Sequence, residues 1–330
     1  MESKEFASLR EKENRASGVP RRILRGPAAP RRSRWSWFVQ SILASVLTLP
    51  YLFLGWAGGC PGIALRFSCW WLACKGLVSR PRLSPVRALG LVASPLDSVR
   101  YFELPFARSC VTEARSILDV SSPRLLAVLL LRDLPASNAV LLNPDKEDQE
   151  ETQRMVSALG LGPRCRFLNE RIGESSLEEA SFDLIVSISV VEHIPDDHAA
   201  IGAMWRLLRP GGRLVLTVPC AAQPYEEWAD FNRYGLLEPG PDGLIFWQRF
   251  YSATCLESRI FPVTGRPVRM SVYGERKPGC YDRNVLAKMR NRYYPVWREP
   301  WMMAREWKLF DQIDHLPGAG VAGMMFIKEA

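Results

Sequence analysis

Ser181-Phe182-Asp183-Leu184-Ile185-Val186-Ser187-Ile188 is the stretch on which the fold turns. One early acid is followed by an apolar run that is too short for a core helix, so it reads as a strand buried on both faces. Upstream, Ser116–Val120, Asn138–Leu142 and 164–168 repeat that signature at strand length. Amphipathic stretches at 123–132 and 146–160 separate them and read as helices. Downstream, 199–209 reads as a helix stopped by Pro210-Gly211-Gly212, and 213–219 as the next strand. Strands alternating with helices predict an α/β domain with a mostly parallel sheet, starting near residue 84. Further on, 252–260 reads as a helix, with 266–274 and 321–328 as a closing antiparallel hairpin. Between those strands lies an insertion, 275–320, which contains Tyr281, Tyr293, Tyr294, Trp297, Trp301 and Trp307. It reads either as a helical pair on the sheet edge or as a lid over an apolar or sugar-bearing acceptor.

Composition bounds the partners. The chain has 330 residues and formal charge +8. Residues 1–34 carry ten Lys/Arg against four Asp/Glu, so most of the excess sits on a tail. A nucleic-acid binder carries its basic stripe on the folded domain, and nucleic acid is therefore not expected as a partner. Eight cysteines without a CxxC pair read as reduced thiols, and three histidines without ligand spacing give no reason to expect a metal.

The tail 1–34 is polar and Pro-interrupted, which predicts disorder. From Trp35 to Leu65 no Lys, Arg, Asp or Glu occurs, a length sufficient to cross a bilayer. Arg21 to Arg34 precede this run, and Lys75, Arg80, Arg82 and Arg87 follow it. Basic flanks on both sides predict a membrane-associating hairpin or span over 35–78, with a lipid bilayer as partner and the domain 84–330 on the cytoplasmic side. Pro50 and Gly58-Gly59-Cys60-Pro61 offer places for the backbone to reverse.

Ser181-Phe182-Asp183-Leu184-Ile185, Val191-Glu192-His193-Ile194 and Leu208-Arg209-Pro210-Gly211-Gly212-Arg213-Leu214 together resemble a block of class I S-adenosylmethionine-dependent methyltransferases. The resemblance covers 115–219 and implies a Rossmann-like sheet of seven strands, mostly parallel with an antiparallel last strand, preceded here by an apolar helical segment. It implies S-adenosyl-L-methionine as cofactor, held by Asp119, Ser121, Ser122 and Arg124 after the first strand. Asn143 and Asp145 would follow the second strand, Glu170 the third, and Ser189 and Glu192 the fourth. The family's glycines are absent from Asp119-Val120-Ser121-Ser122-Pro123-Arg124, and Leu141 stands where a ribose-binding acid is usual. Ser122 is expected as N-cap and Pro123 as the first helical residue, with Arg124 pairing the cofactor carboxylate.

His193 is the expected general base, acting on an acceptor contacted by Asn232, Arg233, Tyr234, Arg249 and Tyr251. The function implied is methyl transfer at a membrane to a small-molecule or lipid-linked acceptor. The competing reading is a methyltransferase-like scaffold that has lost its cofactor. A dinucleotide oxidoreductase is excluded, because no GxGxxG follows the first strand.

Overall fold

The decisive stretch forms a seven-residue strand, Phe182–Ile188, at the centre of an eight-stranded sheet. The computed structural model describes residues 19–26, 34–93, 95–232, 235–291 and 294–329. In chain order the first half comprises β1 (Arg21–Leu24), α1 (Arg34–Ala57), α2 (Ile63–Val78), α3 (Pro85–Ala93), α4 (Arg100–Ser109), β2 (Ser116–Val120), α5 (Leu125–Asp133), β3 (Asn138–Leu142), α6 (Lys146–Ala158) and β4 (Cys165–Leu168). The second half comprises β5 (Phe182–Ile188), α7 (Asp197–Leu207), β6 (Leu208–Cys220), β7 (Tyr225–Ala229), β8 (Ile245–Phe250), α8 (Ala253–Arg259), α9 (Phe261–Thr264), β9 (Arg269–Glu275), α10 (Cys280–Arg290), α11 (Glu299–Glu306), β10 (Trp307–Phe310) and β11 (Gly320–Ile327).

The large sheet has the order β10-β9-β11-β6-β5-β2-β3-β4. Its β6-β5-β2-β3-β4 half is parallel throughout, with Ile117 opposite Leu184 and Asp119 opposite Val186. The β11 strand runs antiparallel between β6 and β9. Alternation along the strands feeds two cores. Ile117, Leu184 and Val186 face the helices α4 and α5, while Leu118, Ile185 and Leu214 face α7. Both faces are covered, which is why these strands read as near-continuous apolar runs. The chain order reverses between β5 and β2, so the crevice for a ligand lies at the carboxyl ends of those two strands.

The structure departs from the sequence reading in several places. The sheet has eight strands rather than seven, because Trp307–Phe310 within the insertion adds to the edge of β9. Helix α7 stops at Leu207, and Pro210-Gly211-Gly212 lies inside β6; buried Leu208 is already extended and pairs with Phe182. The basic tail is not wholly irregular. Arg21–Leu24 pairs in parallel with β7 and makes a second sheet, β1-β7-β8. Arg22 anchors that strand on Asp282 at 2.6 Å, and Arg21 lies 4.4 Å over the Trp228 ring. Residues 1–18 and 27–33 of the tail lie outside the described residues.

The apolar run forms two helices, α1 and α2, joined through 58–62. Among the described residues no helix is long and apolar enough to cross a membrane. Instead α1 packs on the insertion. A Cβ on Gly55 would meet Pro300 at 2.8 Å, a Cβ on Gly58 would meet Ala304 at 2.7 Å, and Tyr51 touches the Trp301 ring. The insertion therefore supports α1, and among its described residues none lines the cavity at the carboxyl ends of the strands; Tyr293 lies outside the described residues.

Candidate active site

A cavity of about 640 Å³ opens at the carboxyl ends of β2, β3 and β5. Its floor begins with the turn after β2. Ser121 adopts a left-handed φ of 53°, and its amide donates to the Leu142 carbonyl at 2.8 Å. This is the conformation a glycine accepts freely; a serine holds it at a cost of about 1 kcal/mol. The Ser122 amide donates to Asp119 Oδ1 at 3.0 Å, and the Ser122 hydroxyl accepts the Ile188 amide at 3.1 Å. The missing glycines are thus replaced by side-chain bonds that hold the same turn shut.

Two expectations change here. Helix α5 begins at Leu125, so Ser122 is not its N-cap and Pro123 is not its first residue; the Ser122 oxygen is committed to Ile188. Asp119 is buried beneath the turn and does not line the cavity. It acts on the cavity through Ser122, and burial pushes its carboxyl up to about 6.

After β3, Asn143 and Asp145 both line the cavity. The Asp145 carboxylate caps α6 by accepting the Asp148 amide at 3.1 Å. Asn143 donates from Nδ2 to Asp148 Oδ2 at 2.9 Å, and Arg124 donates to Asp148 Oδ1 at 2.7 Å. Asp148 thus organises the wall from which the expected acid at Leu141 is missing, since Leu141 is buried in the sheet. Nothing in the local pattern singled out Asp148 except its place three residues after a helix cap. Glu170 does not line the cavity, whereas the next residue, Arg171, does and donates to the Leu236 carbonyl at 2.7 Å.

The end of β5 carries a second strained turn, with Ser189 at φ 52°. Its amide donates to Thr217 and its hydroxyl to the fully buried Glu103 of α4. Glu103 also accepts from Thr217 Oγ1 at 2.8 Å and pairs with Arg100, which reaches the cavity wall. Neither Arg100 nor Glu103 was legible, because only tertiary packing brings α4 to this point. Glu192 is buried and lies behind the cavity lining; desolvation, with Glu103 nearby, pushes its carboxyl up to about 8.

His193 lines the cavity from the turn Val191–His193. Its Nδ1 lies 2.5 Å from the Trp247 carbonyl oxygen, and its Nε2 lies 4.0 Å from Glu192 Oε1. A carbonyl only accepts, so Nδ1 carries the proton and Nε2 is the basic nitrogen. Phe231, Phe246 and Trp247 roof this side together with Asn232, whose side chain closes its own loop on Gly235 and Leu237. Arg233 and Tyr234 lie outside the described residues.

Arg249 and Tyr251 are not acceptor contacts. Both are buried away from the cavity on Asp197, with Arg249 Nη1 at 2.8 Å and the Tyr251 hydroxyl at 2.6 Å. Arg259 completes that cluster at 2.5 Å. These hydrogen bonds and cations hold the Asp197 carboxyl below the usual range against the desolvation that opposes them.

A family model described as a methyltransferase domain matches residues 118–216, the span from β2 into β6. Over this span the chain is similar to class I S-adenosylmethionine-dependent methyltransferases. The ubiquinone biosynthesis O-methyltransferase of Alkalilimnicola ehrlichii is 24% identical over 159 residues, 47% of this chain and 63% of that enzyme. The chain therefore spans less than two thirds of that relative's length. The arsenite methyltransferase of Aquipseudomonas alcaligenes is 23% identical over 265 residues, covering 64% of this chain and 76% of that one. Among solved structures, the geranyl diphosphate C-methyltransferase of Streptomyces coelicolor gives a TM-score of 0.46 at 12% identity, over 77% of this chain and 84% of that one.

The methyltransferase domain's cavity suits S-adenosylmethionine by its donor set. Arg100, Arg124 and Arg171 supply cationic donors for a carboxylate. Asn143, Asp145 and Asp148 supply acceptors for hydroxyl and ammonium groups, and Val120, Leu142 and Ile172 supply apolar wall for a base. Among the described residues no group of His, Cys, Asp and Glu could hold a metal ion.

Proposed function

We propose that this chain is a working S-adenosylmethionine-dependent methyltransferase whose acceptor binds under Phe231, Phe246 and Trp247 and gives its proton to His193. The observation that carries this is the anchored imidazole, which shares one cavity with the Ser121, Asn143 and Ser189 side of the site. Bound S-adenosylmethionine supplies an electrophilic methyl group on a sulfonium. Arg100, Arg124 and Asp148 would orient the amino-acid and ribose parts. His193 Nε2 would take the proton from an acceptor hydroxyl as the new O–C bond forms, and the displaced sulfur keeps the electron pair of the broken S–C bond. Holding the two reactants in line in a largely apolar cavity provides much of the acceleration.

A hydroxyl acceptor is favoured over a soft one, because among the described residues no cysteine lines the cavity. This agrees with the O-methyltransferase among the relatives better than with the arsenite enzyme. Membrane attachment, with the domain on the cytoplasmic side, belongs to the same reading and is supported by the apolar helices and their basic flanks. A non-catalytic scaffold is the second reading, favoured by Arg124 being already paired with Asp148.

The test uses the full chain with methyl-labelled S-adenosylmethionine, offered separately to lipid and polar cell extracts. Label is expected in one extract, and His193→Ala is expected to lower transfer about 10²–10⁴-fold while leaving cofactor affinity unchanged. Absence of cofactor binding in calorimetry would replace the enzyme reading by the scaffold.

A further inference from the structure

We infer that the outward faces of α1 and α2 form an in-plane docking surface for an anionic lipid bilayer, embedded in one leaflet without crossing it. This sharpens the membrane attachment proposed above and does not depend on the methyltransferase reading. Each helix has an inward stripe fixed to the domain and an outward stripe that is equally apolar. On α1 the inward stripe is Ala44, Thr48, Leu52 and Gly55, all buried. The outward stripe is Ile42, Val46, Leu49, Phe53 and Trp56, with Val46 66%, Phe53 64% and Trp56 67% exposed. On α2, Leu65, Cys69 and Leu72 point inward, while Phe67, Trp71, Cys74 and Val78 are exposed. Spacing of three and four residues places each set on one helix face. A helix that is apolar on its exposed side has a non-aqueous neighbour, and exposed large apolar side chains gathered on one helix face mark an interaction site.

Charge decides which neighbour. Residues 14–96 contain twelve Lys/Arg and no Asp or Glu. Arg66 is buried, and Arg21, Arg22 and Arg87 pair with Asp242, Asp282 and Glu151, but exposed Arg25, Arg80 and Arg82 leave a positive excess that a second copy would repeat and that anionic headgroups complement. Trp56 and Trp71 are residues suited to the headgroup boundary, and Lys75 sits 5.1 Å over the Trp71 ring, an aromatic–cation pair of that kind. The inward contacts decide the orientation. Buried Arg66 of α2 donates to Thr48 Oγ1 at 3.3 Å and to the Val92 carbonyl at 2.6 Å. Neither helix can turn upright into a bilayer without breaking such contacts, so they lie along its surface, as interfacial helices do.

The experiment is flotation of the full-length protein with vesicles of phosphatidylcholine alone and with added phosphatidylglycerol. Binding is expected to both, tighter with phosphatidylglycerol and weakened by salt. The double variant Phe53→Ser/Trp56→Ser is expected to bind about tenfold or more weakly, because two exposed aromatic anchors are lost from positions that support no core contact. Native Cys74 is expected to react with a water-soluble maleimide more slowly on vesicles than in solution. In a Cys74→Ser background, Ala57→Cys is expected to stay reactive on vesicles, because the turn between the helices remains at the interface. Failure to float with either vesicle overturns the proposal. So does Ala57→Cys becoming protected, which would mean an inserted hairpin. A dimer in detergent-free sedimentation that the double variant abolishes, with vesicle binding unchanged, would assign the face to a second copy. S-adenosylmethionine affinity measured in the same samples separates failure of the membrane proposal from failure of the enzyme reading.

Discussion

Glu192 and Asp119 are the residues whose protonation the fold sets most strongly toward the neutral form in the cavity region. Glu192 is held near 8 and Asp119 near 6, each chiefly by desolvation, against unfolded values near about 4. For a raised carboxyl the folded state binds more protons than the unfolded state between those two values. Stability therefore falls as pH rises through that window, and it is level above the folded value. Between pH 6 and 8 a falling slope on the order of 1 kcal/mol per unit is assigned chiefly to Glu192, shrinking as pH nears its folded value. Glu192→Gln should flatten it, as read from denaturant midpoints at pH 6, 7 and 8; an equally steep variant would show that another group carries the slope. Asp119 works through geometry. Asp119→Ala should weaken S-adenosylmethionine binding by about 1.5–3 kcal/mol through the loosened 119–122 turn. Asp119→Asn keeps an oxygen for the Ser122 amide and should retain most of the affinity in calorimetry.

At the scale of elements, the sheet β1-β7-β8 sets the roof of the site. Its middle strand, β7, is bonded on one side to a four-residue strand from the tail and on the other to β8, which carries Phe246 and Trp247. Truncation through residue 26 would leave the β7 edge unpaired. Amide exchange in Tyr225–Ala229 should then speed up by about tenfold or more, while β2, β5 and β6 exchange as before. Equal protection with and without the tail would mean that β1 adds nothing to the roof. The interior of the large sheet shows how tightly the elements are matched. A Cβ on Gly323 of β11 would meet the Phe106 ring of α4 at 2.6 Å, so a glycine is required where that helix crosses the sheet.

At the scale of the whole molecule, α1 and α2 are not an appendage to a self-sufficient domain. Leu52, Leu65, Cys69 and Leu72 share one core with Leu126, Leu129 and Val186 behind the sheet. A fragment beginning at Ser84 lacks that cover and exposes Leu91, Met303 and Ala304. It should melt well below the full chain and scatter light on warming, by the loss of several buried side chains worth about 1.5–3 kcal/mol each. A fragment as stable as the full chain would show that the helices contribute no core. The site shares this dependence, since α4, which supplies Arg100 and Glu103, packs in the same cluster through Tyr101, Phe102 and Leu104.

The sequence by itself determined what rests on local pattern. The strand 182–188 and the parallel strands around it were legible, because burial on both sheet faces and alternation with helices leave a periodic trace, whereas Ser122 and Pro123 misled as the start of the next helix. Tertiary structure alone decided the matters that depend on distant chain. These include the pairing of Arg21–Leu24 with β7, the eighth strand inside the insertion, the arrival of Arg100 and Glu103 at the cavity, and the withdrawal of Arg249 and Tyr251 onto Asp197. The apolar run shows the division most directly. Its composition announces a non-aqueous neighbour, but only packing against Pro300, Ala304 and Val92 determines which stripe of each helix is left facing outward. Composition is a sum over all faces of a helix, and rotation about its axis is set by the contacts that one face makes.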